Sequence, residues 1–125
     1  SGSWSNSPLI NELLETMPEV KNPMNLQVHF FRRATDILEK YDVKIGGWEE
    51  VVMLRDTQGR PVPSPEFVGK RVVPYFWINA WGQEDLAYRL ANIGYEVVMC
   101  NVTDFYFDLA YDKDPQEPGL YWGGF

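Results

Sequence analysis

Residues 72–100, VVPYFWINAWGQEDLAYRLANIGYEVVMC, decide the fold of this chain. A β-branched and aromatic run, Val72–Ile78, is followed by helical spacing over Glu84–Ile93 and by a second apolar run, Tyr95–Cys100. Gly94 stops the helix, and its buried stripe is predicted to be Leu86, Ala87, Leu90 and Ala91. A strand, a helix and a strand in succession predict two neighbouring parallel strands.

Upstream of this stretch the sequence predicts two helices, a strand and a further short helix. Ser7-Pro8 and Asn22-Pro23 each place a capping residue before a proline at the first helical position. The second helix is predicted to span about 18 residues with one apolar stripe, formed by Leu26, Phe30, Ala34, Ile37, Leu38 and Tyr41. A short strand, Val43–Ile45, is predicted to end at Gly46-Gly47, and a short helix is predicted over Glu49–Leu54.

Prolines mark two places where regular structure is harder to predict. Arg55–Arg71 contains Pro61, Pro63 and Pro65 and is predicted to be a loop or small excursion. Pro74 lies inside the predicted strand Val72–Ile78, where it removes a hydrogen-bond donor from the ladder. The alternation of strands and helices still predicts an α/β fold with a parallel sheet.

Composition excludes several classes of function. The chain has 125 residues, 45% of them hydrophobic, and a net charge of −7, which argues against nucleic acid and against an anionic membrane surface. It has no apolar run long enough to span a bilayer. Cys100 is the single cysteine and His29 the single histidine, so neither an intrachain disulfide nor a Cys/His zinc set can form. A serine-based triad would need His29, which is predicted to lie mid-helix.

Aromatic and polar residues follow each predicted strand. They are Trp48, Glu49 and Glu50 after the first, Trp77, Asn79 and Trp81 after the second, and Asp104, Tyr106 and Asp108 after the third. Ligands of parallel α/β folds bind at the carboxyl ends of the strands. Indole rings interleaved with carboxylates are typical of saccharide sites, although large aromatic side chains also fill barrel mouths. Gly46-Gly47 is too short for a phosphate loop.

Spacing alone identifies no catalytic pair of carboxylates. Glu49 and Glu50 are adjacent, so on a helix they point about 100° apart, which is a poor geometry for a facing pair. Asp104 and Asp108 remain possible, and each is equally suited to a turn or to binding a sugar hydroxyl.

Several motifs occur in a fixed order along nearly the whole chain. They are Gly46-Gly47-Trp48-Glu49-Glu50, Val73-Pro74-Tyr75-Phe76-Trp77, Tyr106-Phe107-Asp108-Leu109-Ala110-Tyr111, Lys113-Asp114-Pro115 and Gly119-Leu120-Tyr121-Trp122-Gly123-Gly124. In this order they resemble glycoside hydrolase family 20, the β-N-acetylhexosaminidases, and especially its chitobiase-like bacterial members. The Tyr-x-Asp element followed by Tyr-Trp-Gly is the most specific part. The segment Gly2–Pro8 also resembles the family segment that follows its catalytic acid motif.

The resemblance implies a partial (β/α)8 TIM barrel with parallel strands, covering roughly the fifth to seventh βα units. Residues 1–125 would be a fragment of a single catalytic domain. The implied enzyme is a glycosidase that removes terminal N-acetylhexosamine residues by a substrate-assisted retaining mechanism. The family's catalytic motif, His-x-Gly-Gly-Asp-Glu, is absent from the sequence, so the isolated chain is expected to be inactive. A periplasmic, secreted or cell-surface location is expected from the family.

The resemblance also implies a role for five side chains. Tyr106 would hydrogen-bond the acetamido carbonyl oxygen of the substrate and hold it for attack on the anomeric carbon. Trp48 and Trp77 would wall the acetamido pocket, Asp108 would accept from a sugar hydroxyl, and Trp122 would line the site towards the aglycone. The resemblance implies no metal and no organic cofactor.

Two other functions compete with this hypothesis. A lectin-like binding module without catalysis would show sugar affinity in a closed fold, and a flavodoxin-like binding domain would need the phosphate loop that the sequence lacks. The expected partners are N-acetylhexosaminide sugars, with neither nucleic acid nor membrane. Because a partial barrel has open sheet edges, self-association or domain swapping is also expected.

Overall fold

The computed structural model describes residues 6–17, 20, 23–58 and 60–123. The chain forms two compact units, Ser1–Val43 and Lys44–Phe125. Most of the Gly2–Pro8 segment that carries part of the family resemblance lies outside the described residues. Within the described ranges, no helix has the length and apolarity that crossing a membrane requires.

The first unit contains two helices, α1 (Pro8–Thr16) and α2 (Pro23–Glu39). Both start at the prolines that the sequence indicated. Ser7 precedes α1 in extended backbone, and its carbonyl oxygen accepts hydrogen bonds from the backbone N–H groups of Ile10 and Asn11. Its side chain makes no capping hydrogen bond, so the proline and the backbone geometry define this helix start.

The predicted apolar stripe of α2 is wrong by about one residue. Leu26 is buried as predicted, but Phe30, Ile37 and Tyr41 are exposed, and the other buried side chains among residues 26–39 are Phe31 and Thr35. Thr35 can occupy the buried face because its hydroxyl donates a 2.9 Å hydrogen bond to the Phe31 carbonyl oxygen. Because a polar residue lies at the centre of the buried face, the hydrophobic pattern predicted the wrong residues for that face. His29 lies mid-helix as predicted and is half-buried.

The second unit contains two small sheets and short helices. In chain order its elements are β1 (Ile45–Trp48), a 3₁₀ helix (Glu49–Val52), β2 (Met53–Arg55), β3 (Pro61–Pro63), β4 (Val72–Phe76), α3 (Leu86–Asn92), β5 (Val98–Met99) and α4 (Val102–Phe105). The main sheet has the order β1-β4-β5, and both pairings are parallel. This confirms the predicted parallel sheet.

Pro74 lies in the central strand β4, opposite Gly47 of β1. The ladder with β5 pairs only Tyr75 and Phe76, so the proline precedes it. A proline is tolerated here because it stands where one of the two ladders has not yet begun.

Three local predictions differ from the structure. The predicted loop contains a strand, β3, with Pro61 and Pro63 at its ends, and β3 pairs antiparallel with β2, which begins before the loop. The helix predicted over Glu49–Leu54 is a single 3₁₀ turn, because the strand begins again at Met53. In α3 the side chains of Leu86, Ala87 and Leu90 are buried as predicted, whereas Ala91 is exposed.

The strand boundaries are also shorter than the apolar runs. Val43 and Lys44 precede β1, and β5 comprises only Val98 and Met99 of the predicted Tyr95–Cys100. Gly94 ends α3 with a φ of 109°, a backbone conformation that glycine adopts at no steric cost. The single cysteine, Cys100, is half-buried.

A hydrophobic core underlies the main sheet. Its most buried apolar side chains in the second unit are Val52, Phe67, Val72, Phe76, Leu86, Ala87, Leu90, Val102 and Ala110. Tyr95 ties this core to the segment after β3, because its hydroxyl donates to the Ser64 carbonyl oxygen at 2.7 Å and accepts from the Phe67 N–H at 3.3 Å. The core fixes the strands whose carboxyl ends carry the aromatic residues.

Candidate functional site

The aromatic and acidic residues singled out in the sequence lie at the carboxyl ends of the parallel strands. Trp48 is the last residue of β1, and Trp77 directly follows β4. After β5 the chain turns through α4, which Tyr106 and Asp108 follow. Since β1, β4 and β5 are parallel, these residues share one edge of the sheet.

Three rings form an aromatic cluster at this edge: Trp77, Tyr106 and Trp122. Trp77 and Tyr106 are stacked, with ring centroids 6.0 Å apart and planes 10° from parallel. Trp122 meets both rings edge-on, with its centroid 6.3 Å from Trp77 and 5.7 Å from Tyr106. The rings come from three separate segments, so the fold rather than local sequence brings them together. The sequence-predicted residues Trp77, Tyr106 and Trp122 are therefore neighbours in space.

Asp108 joins this aromatic cluster through Trp122. The indole Nε1–H of Trp122 donates to Asp108 Oδ2 at 3.3 Å. The backbone carbonyl oxygen of Asp108 also accepts from the Leu120 N–H at 2.7 Å, and the Leu120 carbonyl oxygen accepts from the Ala110 N–H at 3.0 Å. The two motifs that were most specific in the sequence, Tyr-x-Asp and Tyr-Trp-Gly, are therefore hydrogen-bonded to each other.

Gly119 makes this pairing possible. Its φ is 133°, a conformation that other residues rarely adopt. A Cβ atom at this position would lie 2.5 Å from the Ala110 nitrogen and 2.8 Å from its Cα. Because the clashing atoms belong to the backbone, no side-chain rotation would relieve the overlap. Glycine is required for the two segments to approach.

Trp48 contacts a different residue. Its ring packs edge-on against Tyr75, with centroids 6.4 Å apart and planes at 81°. Tyr75 in turn lies over Gly46, where a Cβ would come within 2.7 Å of the tyrosine ring. The Trp48 side chain is 51% exposed. Among the described contacts Trp48 is thus not a member of the aromatic cluster, and its assignment to the acetamido pocket stays a prediction.

Glu49 is the residue whose importance the sequence did not reveal. Its side chain is only 2% exposed, and Oε2 accepts the backbone N–H of Trp77 at 3.3 Å. Burial raises the pKa of its carboxyl group from the usual 4.5 to about 7, and the charge of Glu50 adds to the increase. A spacing of three residues places Glu49 on the same face as the fully buried Val52, and this spacing was the available signal.

The Tyr106 hydroxyl is a suitable donor at neutral pH. Burial raises the pKa of the Tyr106 phenol above its usual 10, and nearby Cys100, Glu49 and Asp108 act in the same direction. The phenol therefore keeps its proton and can donate it in a hydrogen bond.

Asn79 and Asp104 hold the scaffold rather than the aromatic cluster. Asn79 Nδ2 donates to Thr103 Oγ1 at 2.6 Å, and the Thr103 hydroxyl donates to Asp104 Oδ2 at 3.1 Å. Asp104 Oδ2 also accepts from Asn101 Nδ2 at 3.0 Å. This network ties the segment after β4 to α4.

Trp81, the other aromatic residue that follows β4, has a side chain that is 52% exposed and a backbone φ of 55°.

In the part of the chain that the structure describes, no group of three or more His, Cys, Asp or Glu side chains could hold a metal ion. The arrangement offers flat apolar faces, a hydroxyl donor and an exposed carboxylate acceptor. Such a combination suits the alternating C–H and O–H surfaces of a sugar ring.

Comparison with known proteins identifies the family. The family model described as glycosyl hydrolase family 20, catalytic domain, matches residues 1–125. The chain belongs to glycosyl hydrolase family 20. Catalytic domains of this family are TIM barrels, and the α/β fold with parallel strands agrees with that class.

Individual relatives support the membership in family 20. The chain is 29% identical to a β-hexosaminidase of Vibrio vulnificus over 98% of its own length and 14% of that protein. It is 30% identical to a β-hexosaminidase of Vibrio furnissii, covering 98% of this chain and 18% of the relative. The chain is 26% identical to an N,N'-diacetylchitobiase of Vibrio harveyi, covering 95% of this chain and 13% of the relative. The chain thus spans less than a fifth of these relatives, and no solved structure matches it significantly.

Proposed function

We propose that this chain forms the acetamide-binding part of the catalytic domain of a β-N-acetylhexosaminidase, covering roughly the fifth to seventh βα units of the barrel. The observation that carries the proposal is the aromatic cluster of Trp77, Tyr106 and Trp122, with Asp108 hydrogen-bonded to the Trp122 indole. It stands at the sheet edge where barrel enzymes bind substrate. The names of the family 20 relatives, β-hexosaminidase and diacetylchitobiase, agree with this substrate class.

In a substrate-assisted mechanism, the carbonyl oxygen of the 2-acetamido group attacks the anomeric carbon and the leaving oxygen takes a proton from an acid. Tyr106 donates its hydroxyl hydrogen to that acetamido oxygen and fixes its direction of attack. Trp77 provides an apolar wall for the acetamido methyl group, and Trp48 is proposed to complete this wall. Asp108 accepts from a sugar hydroxyl, and Trp122 lines the aglycone side. Such positioning contributes by holding reactants in a near-attack geometry.

The orienting aspartate and the acid of the mechanism belong to the motif His-x-Gly-Gly-Asp-Glu, which these 125 residues do not contain. A general acid contributes about 10²–10⁴-fold to rate. We therefore expect the isolated chain to release no product from a chromogenic N-acetylglucosaminide. Release at a rate near that of a complete hexosaminidase would show that other residues supply the acid.

Sugar binding tests the proposed site itself. We expect tryptophan fluorescence of the chain to respond to N-acetylglucosamine and to respond much less to glucose, which has the same ring without the acetamido group. Trp77→Phe should abolish most of the response, and the exposed Trp81→Phe should preserve it. Equal responses to both sugars, or equal effects of both substitutions, would count against an acetamide site.

A further inference from the structure

The backbone of Trp77 is held from two directions. Its carbonyl oxygen accepts from the Val102 N–H at 2.8 Å and from the Asn79 N–H at 3.0 Å. Its own N–H donates to Glu49 Oε2 at 3.3 Å. The indole of Trp77 is consequently anchored through the main chain to the segments that follow β1 and β5.

The carboxyl group of Glu49 gives the Trp77 N–H the hydrogen-bond acceptor that a neighbouring strand would otherwise provide. The ladder between β1 and β4 ends with Trp48 opposite Tyr75, and β4 itself ends at Phe76. The N–H of Trp77 therefore lies beyond the last paired residue. A buried N–H without a partner is costly, and the Glu49 side chain supplies the acceptor that a longer strand would have provided.

We propose that Glu49 is a positioning residue of the aromatic cluster, which holds the Trp77 indole stacked on Tyr106 by accepting the backbone N–H of Trp77. This proposal depends on the proposed function in one respect only, namely that the aromatic cluster binds a sugar. Glu49 acts through Trp77 rather than on the substrate. Its near-complete burial separates it from the exposed Glu50, the next residue on the same 3₁₀ turn.

The protonation state of Glu49 should govern this anchor. With a pKa of about 7, raised mainly by burial, Glu49 ionises close to neutral pH. Glu50 on the same turn and Tyr106 in the cluster interact electrostatically with Glu49. Of the described strands packed against this turn, β4 carries Tyr75, β2 carries the exposed Arg55 and β1 has no ionisable side chain. Because a hydrogen bond from the Trp77 N–H favours the ionised carboxylate, ionisation should strengthen this bond and so shift the position of the Trp77 indole relative to Tyr106.

Fluorine NMR of the chain labelled with fluorotryptophan tests this directly, without sugar. The chain has five tryptophans, and Trp77→Phe assigns the Trp77 resonance. We expect that resonance to shift with a midpoint near pH 7 in the wild type, and to titrate in Glu50→Gln as well with a somewhat lower midpoint, because the Glu50 charge adds to the raised pKa of Glu49. It should stay constant with pH in Glu49→Gln, which keeps an uncharged acceptor of the same size. The fluorine resonance of the exposed Trp81 should not change over this pH range.

Two results would overturn the proposal. One is a Trp77 resonance that does not change with pH in the wild type, and the other is an unchanged titration in Glu49→Gln. Glu49→Leu adds an independent test, because without an acceptor the Trp77 resonance should be displaced at every pH. A chain that titrates as expected but does not respond to N-acetylglucosamine would refute the proposed function and leave the role of Glu49 intact.

Discussion

Replacing Glu49 with glutamine should change how the stability of the chain depends on pH. A carboxyl whose pKa rises from 4.5 to about 7 on folding stabilises the native state while it is protonated. That contribution is complete below its unfolded pKa and is lost as the pH rises through 7, amounting to about 3 kcal/mol at 1.36 kcal/mol per pKa unit. Glutamine keeps the volume and an oxygen acceptor for the Trp77 N–H but cannot ionise.

Urea denaturation followed by circular dichroism would measure this effect. Glu49→Gln and the wild type should have similar unfolding free energies near about pH 4, and the variant should be about 3 kcal/mol more stable near about pH 8.5. Glu50→Gln is the matched control, since Glu50 is adjacent but exposed; it should keep most of the pH dependence of the wild type and lose only the part that the Glu50 charge adds to the Glu49 pKa. If the wild type and Glu49→Gln show the same pH dependence, the carboxyl of Glu49 does not ionise in a buried environment and the electrostatic reasoning fails.

Three further predictions concern the site and the sheet. Gly119→Ala should destabilise the chain by about 1–3 kcal/mol in urea denaturation, because its Cβ would overlap the Ala110 backbone. Gly69→Ala is the control, since Gly69 also has a positive φ but lies in open space, and this substitution should cost less stability. Equal losses of stability in the two variants would refute the steric argument. Tyr106→Phe keeps the ring but removes the hydroxyl, so N-acetylglucosamine binding measured by fluorescence should weaken about three- to tenfold; an unchanged affinity would remove the hydroxyl from the site. Sedimentation should show concentration-dependent self-association through β1 and β5, the outer strands of the described sheet, and a monomer unaffected by dilution would contradict it.

The sequence predicted the parallel sheet well because its strands follow simple patterns. Val72–Ile78 is β-branched and aromatic, and a helix separates it from the next apolar run, so the order of elements determined how the strands pair. Gly94 was identified as a helix stop on local grounds alone. The positions of Trp77, Tyr106 and Asp108 at one sheet edge followed from the parallel arrangement.

The sequence was less informative where tertiary structure overrides local preference. Pro61 and Pro63 indicated a loop, yet they fit the ends of a short two-stranded pair. In α2 the buried Thr35 satisfies its hydroxyl within the helix, so polarity did not indicate the exposed face. The burial of Glu49 was missed because its acceptor role depends on the Trp77 N–H, 28 residues away in sequence.

Saturation-transfer-difference NMR with N-acetylglucosamine tests the acetamide site most directly. Irradiation of the aromatic protons of the chain should transfer magnetisation most strongly to the acetamido methyl group of the sugar, because Trp77 and Tyr106 are proposed to surround that group. The transfer to the methyl group should decrease strongly in Trp77→Phe. Transfer that is absent, or strongest at the sugar protons farthest from the acetamido group, would contradict the assignment of the aromatic cluster as an N-acetyl pocket.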